Sequence, residues 1–179
     1  MSSTTSDYLA KVGIILPTIS LWAGRKMAEL YTEAHTPWEW HAEIFALAAS
    51  KGIDAFSSVF DIESLAFLDT LNCPRYKIAS FEIVDTPLIG AVAATGKPMI
   101  ISTGMATHDE VHAAATAAQK NGCKDLTLLK CTSAYPADGA SANLNTMRTL
   151  SLHWGARSGL SDHTQGIGVA IVAAAMGAS

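Results

Sequence analysis

From about Trp38 to the end of the chain, short apolar runs alternate with helical patterns five times, and this alternation limits the fold more than any other feature. Ile53 to Phe60 reads as a strand, followed by apolar positions at helical spacing from Ile62 to Leu71, with Pro74 as punctuation. Tyr76 to Ala79 is the next strand. Its helix, Pro87 to Ala94, is opened by Asp85-Thr86-Pro87, where proline suits the first turn. Pro98 to Ile101 is continuously apolar, as a doubly covered parallel strand should be. His108 to Asn121 follows as a helix, with Thr107 and Glu110 spaced as a capping box and Gly122 just past its end. Leu126 to Cys131 and Asn143 to Leu152 form the fourth pair, and Gly159 to Ser161 with Ile167 to Met176 the fifth.

Five βα units in succession imply parallel strands joined by right-handed crossovers, in an open sheet or a (β/α)8 barrel. No G-x-G-x-x-G follows a strand, which removes the usual dinucleotide signature. Each strand instead ends in reactive side chains: Ser57-Ser58, Ser80 with Glu82, Ser102-Thr103, Thr132-Ser133 with Tyr135, and Ser161-Asp162-His163. Sites built from many strand ends characterise the barrel. A complete barrel takes eight strands and about 250 residues. The expectation is therefore an α/β partial (β/α)8 TIM barrel of about five central βα units, lacking the first two strands and the last. Residues 1–35, with an apolar run at Val12 to Leu16 and a short helical pattern at Lys26 to Ala34, read as a degenerate N-terminal segment. Residues 36–179 read as the incomplete barrel domain.

Composition narrows the function classes. Apolar residues make up 49% of the 179, enough for a packed core. The formal net charge is −4 and there is no Lys/Arg-rich block, so no electrostatic case exists for nucleic acid or an anionic membrane. No apolar run approaches the roughly 18 residues of a membrane span, and the first residues lack a signal-peptide pattern. Three cysteines without C-x-x-C argue against a disulfide framework, and a reducing, cytoplasmic setting is expected.

Lys77 is the most informative residue, because an ammonium inside a short buried strand is costly unless it is used. It could be a Schiff-base nucleophile, a point charge for phosphate or carboxylate, or a solvent-facing residue of an edge strand. Lys130 sits comparably before Cys131, but only one strand parity can face the barrel axis. His163 could be a metal ligand, a general base or a satisfied loop residue. His108 and His112 have i, i+4 spacing without matching H-E-x-x-H, and they start a helix on the outside, so solvated surface is expected. Trp38 and Trp40 could wall a sugar ring, although packing under a loop is the default. Serine-rich strand ends together with Lys77 suit a dianion.

Four ordered motifs carry a resemblance: Y-K-I-A-S-F-E at Tyr76 to Glu82, G-K-P-M-I-I-S-T-G-M at Gly96 to Met105, L-K-C-T-S-A-Y-P at Leu129 to Pro136 and G-L-S-D-H-T at Gly159 to Thr164. They resemble the sialic acid synthase (NeuB) family over about Leu21 to Ala178. L-W-A-G-R at Leu21 to Arg25 and T-P-W-E-W-H at Thr36 to His41 look most like its pseudaminic acid synthase branch. The resemblance implies that C3 of phosphoenolpyruvate attacks the open-chain aldehyde of an N-acetylated hexose. Water adds at C2 and phosphate leaves by C–O cleavage, giving a nine-carbon 2-keto acid. It implies a divalent metal, Mn²⁺ or Mg²⁺, and a homodimer. By motif, Lys77, Ser80, Ser58 and Ser161 would hold phosphoenolpyruvate with Ser133 near it. Glu82 and Tyr135 would face the sugar, His163 would ligate the metal, and Lys77, Glu82 and His163 would be the catalytic groups.

The departures are also specific. The family's A-E-I-G-x-N-H-x-G first strand, its second strand with a phosphate-binding lysine, its last-strand E-K-H-F-type motif and its antifreeze-like domain have no counterpart here. Ser58-Val59-Phe60-Asp61 stands where S-T-P-F-D is commoner, keeping a hydroxyl. Two competing expectations follow: a Lys77 Schiff-base aldolase, and a catalytically inactive barrel fragment that acts through binding or assembly.

Overall fold

The computed structural model describes residues 22–179, so the Val12 to Leu16 run lies outside the described residues. Among the described residues, two helices, α1 (Met27–Ala34) and α2 (Trp38–Ser50), precede five βα units. These are β1 (Ser57–Ser58) with α3 (Ile62–Thr70), β2 (Tyr76–Ile78) with α4 (Thr86–Ala94), β3 (Met99–Ser102) with α5 (His108–Lys120), β4 (Leu126–Cys131) with α6 (Asn145–Trp154), and β5 (Arg157–Ser161) with α7 (Gly168–Ala175). All neighbouring strands pair in parallel and in sequence order, β1-β2-β3-β4-β5, which is the succession of a barrel wall.

Local chemistry sets the boundaries. Asp61 accepts from Ser64 N and Asp85 from Leu88 N, with Pro87 in the first turn of α4. The expected capping box at Thr107 and Glu110 is formed, each side chain accepting from the other's backbone N–H. One expected strand is much shorter than its apolar pattern. Of Ile53 to Phe60, only Ser57 and Ser58 join the ladder, opposite Tyr76 and Lys77, and Ile53 is 63% exposed. A strand exists only where a neighbour supplies hydrogen bonds, and β2 begins at Tyr76, just after Pro74, which has no N–H to offer.

The alternation of side chains then sorts the sheet into two faces. Tyr76, Met99 and Leu126 lie in one register row and Ile78, Ile101 and Leu128 in the next, all buried in the core shared with the helices. Lys77, Ile100 and Thr127 lie in the intervening row, on the face turned away from the helices. Outside the core, Lys97 Nζ donates to Asp69 Oδ1 at 2.9 Å and to Tyr76 Oη at 3.3 Å, tying β2 to α3. Trp38 stacks on Phe67 at 4.4 Å between ring centroids, so it packs α2 against α3, whereas Trp40 is exposed. No helix among the described residues is long and apolar enough to cross a membrane.

Ile101 is fully buried in the central strand. Ile101→Ala is expected to lower unfolding free energy by about 2–5 kcal/mol, read from the midpoint of a urea melt.

Candidate active site

Strand parity carries the chemistry to the face opposite the core. Ser58 is the register partner of Lys77, so the two side chains share that face at the β1–β2 edge. Ser102 lies two residues beyond Ile100, the register partner of Lys77, and therefore shares it too. Cys131 and Ser161 are register partners at the ends of β4 and β5, with parity matching Thr127. Lys130 has the other parity, pairing with Leu160 on the side of Leu128, and does not reach the Lys77 face. The structure thus separates two lysines that look alike in sequence.

Ser80 opens a short 3-10 turn, Ser80–Val84, directly after β2, and Glu82 lies in the same turn. Gly104 N donates to Ser80 Oγ at 3.2 Å, which leaves the Ser80 hydroxyl proton for another acceptor. Gly104 faces two hydroxyls closely: a Cβ there would lie 2.2 Å from Ser133 Oγ and 2.6 Å from Ser80 Oγ. Only glycine admits this approach. The Ser102 hydroxyl is buried with no hydrogen-bond partner, so a donor is available on the same face. Ser102 and Gly104 are functional candidates that motif reading left unassigned. The sequence signal for Ser102 was its even spacing from Ile100, usable only once the register with Lys77 is known.

Burial pushes the Lys77 ammonium below the usual lysine range, against the opposing pull of Cys131 and Glu82. Burial also pushes the Glu82 carboxyl above the usual carboxylate range, with Lys77 opposing. Glu82 Oε2 is buried without a partner. Ser58 and Glu82 also line a cleft of about 720 Å³, walled by Tyr31, Trp38, Phe60 and Phe81.

At the far end of the row, His163 Nδ1 lies 3.0 Å from the Thr132 carbonyl oxygen. A carbonyl can only accept, so Nδ1 carries a proton, and in the neutral ring Nε2 would then keep its lone pair. The Tyr135 ring sits 4.3 Å from that of His163. Ala137 N donates to His163 O at 2.9 Å, joining the loops after β4 and β5. The His163 geometry suits one metal ligand backed by a carbonyl. Among the described residues, no group of three or more His, Cys, Asp or Glu could hold a metal. His108 and His112 are exposed on α5, where His108 contacts His153 and Trp154.

Comparison with known proteins gives the arrangement a context. The NeuB family pattern matches residues 5–179. Pseudaminic acid synthase of Helicobacter pylori is 49% identical over 160 residues, covering 89% of this chain and 47% of that protein. Pseudaminic acid synthase of Campylobacter jejuni (serotype O:23/36) is 39% identical over 178 residues, covering 99% and 50%. The crystal structure of N-acetylneuraminic acid synthetase from Leptospira borgpetersenii, in complex with citrate, superposes with a TM-score of 0.80 at 30% identity, covering 84% of this chain and 53% of that one. The chain therefore spans about half the length of the relatives it matches.

Gly104→Ala drives a methyl into the Ser80 and Ser133 hydroxyls. Binding of inorganic phosphate, a probe for an anion held by these hydroxyls, is expected to weaken by about tenfold or more in a calorimetric titration, with the circular dichroism spectrum unchanged.

Proposed function

The chain belongs to the NeuB family, and from that membership we propose that it carries the phosphoenolpyruvate-binding half of a nonulosonate synthase site. In this reading phosphoenolpyruvate condenses with an N-acetylated hexose to give a nine-carbon 2-keto sugar acid of the pseudaminic type, with release of phosphate. One observation carries the proposal: Lys77 and a set of serine hydroxyls share a face on which Gly104 lets Ser80 and Ser133 close in. An ammonium with convergent hydroxyl donors suits a phosphorylated carboxylate.

Lys77, Ser80, Ser102 and Ser133 hold the anion in this proposal, with Ser58 and Ser161 at its margins. A new bond forms between C3 of phosphoenolpyruvate and the aldehyde carbon, and the aldehyde oxygen takes up a proton. Glu82, held protonated to higher pH by its burial, is the group assigned to supply that proton. Water then adds at C2 and the C2–O bond to phosphate breaks, which regenerates a keto group. Tyr135 positions the sugar beside His163. A divalent metal, Mn²⁺ or Mg²⁺, would take Nε2 of His163 as one ligand and would polarise the aldehyde.

The lowered proton affinity of Lys77 also favours a second reading, an amine that forms an imine with a keto acid. The two differ in product. Phosphate release in the presence of phosphoenolpyruvate, N-acetylated hexoses and Mn²⁺ is expected to depend on the sugar, and to fall by about 10²-fold or more in Lys77→Ala. Borohydride trapping of pyruvate on Lys77 without phosphate release supports the imine instead, and a folded chain with neither activity overturns both. Affinity for phosphoenolpyruvate is also expected to fall as pH rises through the lowered Lys77 range, because only the ammonium attracts the anion. The fall should begin below the usual lysine range and be absent in Lys77→Arg, measured by titration across pH.

A further inference from the structure

Lys130 takes no part in the face described above, yet it is half-buried at the end of β4 with its charge directed at two oxygens. Its Nζ donates to the Cys131 carbonyl at 2.7 Å and to Thr132 Oγ1 at 3.0 Å. Thr132 in turn directs its hydroxyl toward the Ser141 carbonyl at 3.4 Å. The Thr132 carbonyl is where two donors meet, Ala134 N at 2.9 Å and His163 Nδ1 at 3.0 Å. The ammonium therefore grips both sides of the Cys131–Thr132 peptide region, the last backbone before the loop that bears Ser133 and Tyr135. A charged donor on two oxygens holds a segment more firmly than neutral contacts do.

We propose that Lys130 is a positioning residue, which clamps Cys131 and Thr132 so that the Thr132 carbonyl meets His163 Nδ1 and leaves Nε2 free toward the site. The clamp acts from the helix-facing side of the sheet onto a side chain that works on the other. Its value for catalysis rests on the reading of His163 as a site residue, but the tautomer it fixes is measurable without substrate or metal.

The test uses the full chain labelled with ¹⁵N-histidine, at about pH 8.5 where imidazole is neutral. Long-range ¹H–¹⁵N correlation is expected to show His163 protonated on Nδ1. Lys130→Met and Thr132→Val, the latter keeping volume but not the hydroxyl, are expected to lose that preference, with an Nε2–H population appearing. Lys130→Arg, which can still donate to both oxygens, is expected to retain it. Mn²⁺ affinity, read from paramagnetic broadening of the His163 signals, should fall by about tenfold in Lys130→Met. A folded Lys130→Met with His163 unchanged overturns the proposal, as does an unsubstituted chain protonated on Nε2. If Lys130→Met does not fold, an unchanged His163 in Thr132→Val overturns it equally. A tautomer that shifts in a chain binding no Mn²⁺ supports the clamp and counts against the metal reading alone.

Discussion

The two-residue alternation of a parallel strand is the constraint on which the rest of the structure depends. Burying Ile78, Ile101 and Leu128 against the helices leaves their neighbours on the other face. The hydrophobic effect thus aims Lys77 without contacting its ammonium. Core and chemistry share one register, and a slip of one residue in β2 would exchange them. The favourable burial of isoleucine and leucine offsets the cost of holding an ammonium away from bulk water.

Much of this was legible in the chain, for reasons tied to particular residues. Helix starts at Asp85 and Thr107 were readable because a side-chain oxygen at a fixed spacing satisfies a defined N–H. Lys77 was conspicuous because few structural roles suit a lysine between Tyr76 and Ile78. The length of β1 was not legible: Ile53 to Phe60 has strand chemistry, but a ladder needs a partner, and Pro74 lies before the start of β2. Ser102 and Lys130 were both noticed, but which way each faces was not legible for the same reason, since it depends on register with neighbouring strands. Gly104 stands in the sequence only as one member of the Gly96 to Met105 motif, and its approach to Ser80 and Ser133 shows that the absence of a side chain creates the space.

The electrostatics of Lys77 and Glu82 share one origin. Burial favours the neutral form of each, so Lys77 gives up its proton more readily and Glu82 keeps its proton longer. For Glu82 the folded chain holds a proton that the unfolded chain has lost, so folding weakens as pH rises through the carboxylate range. For Lys77 the folded chain binds the proton less well, a cost fully present below its lowered folded range. Around neutrality both groups oppose folding, and a bound anion would relieve the lysine's share. The site is held in a less comfortable state than the core that supports it.

The backbone bond from Ala137 to the His163 carbonyl, and the bridge from Ala137 to Thr164, join two loops that are far apart in the chain. Tyr135 belongs to one loop and His163 to the other, and their rings are in contact. In the proposed reading, where Tyr135 faces the sugar and His163 the metal, a change of acceptor preference involves both loops together. Transplanting one segment from a relative would leave its stitch to the other mismatched, so in engineering and in divergence alike these segments travel as a pair.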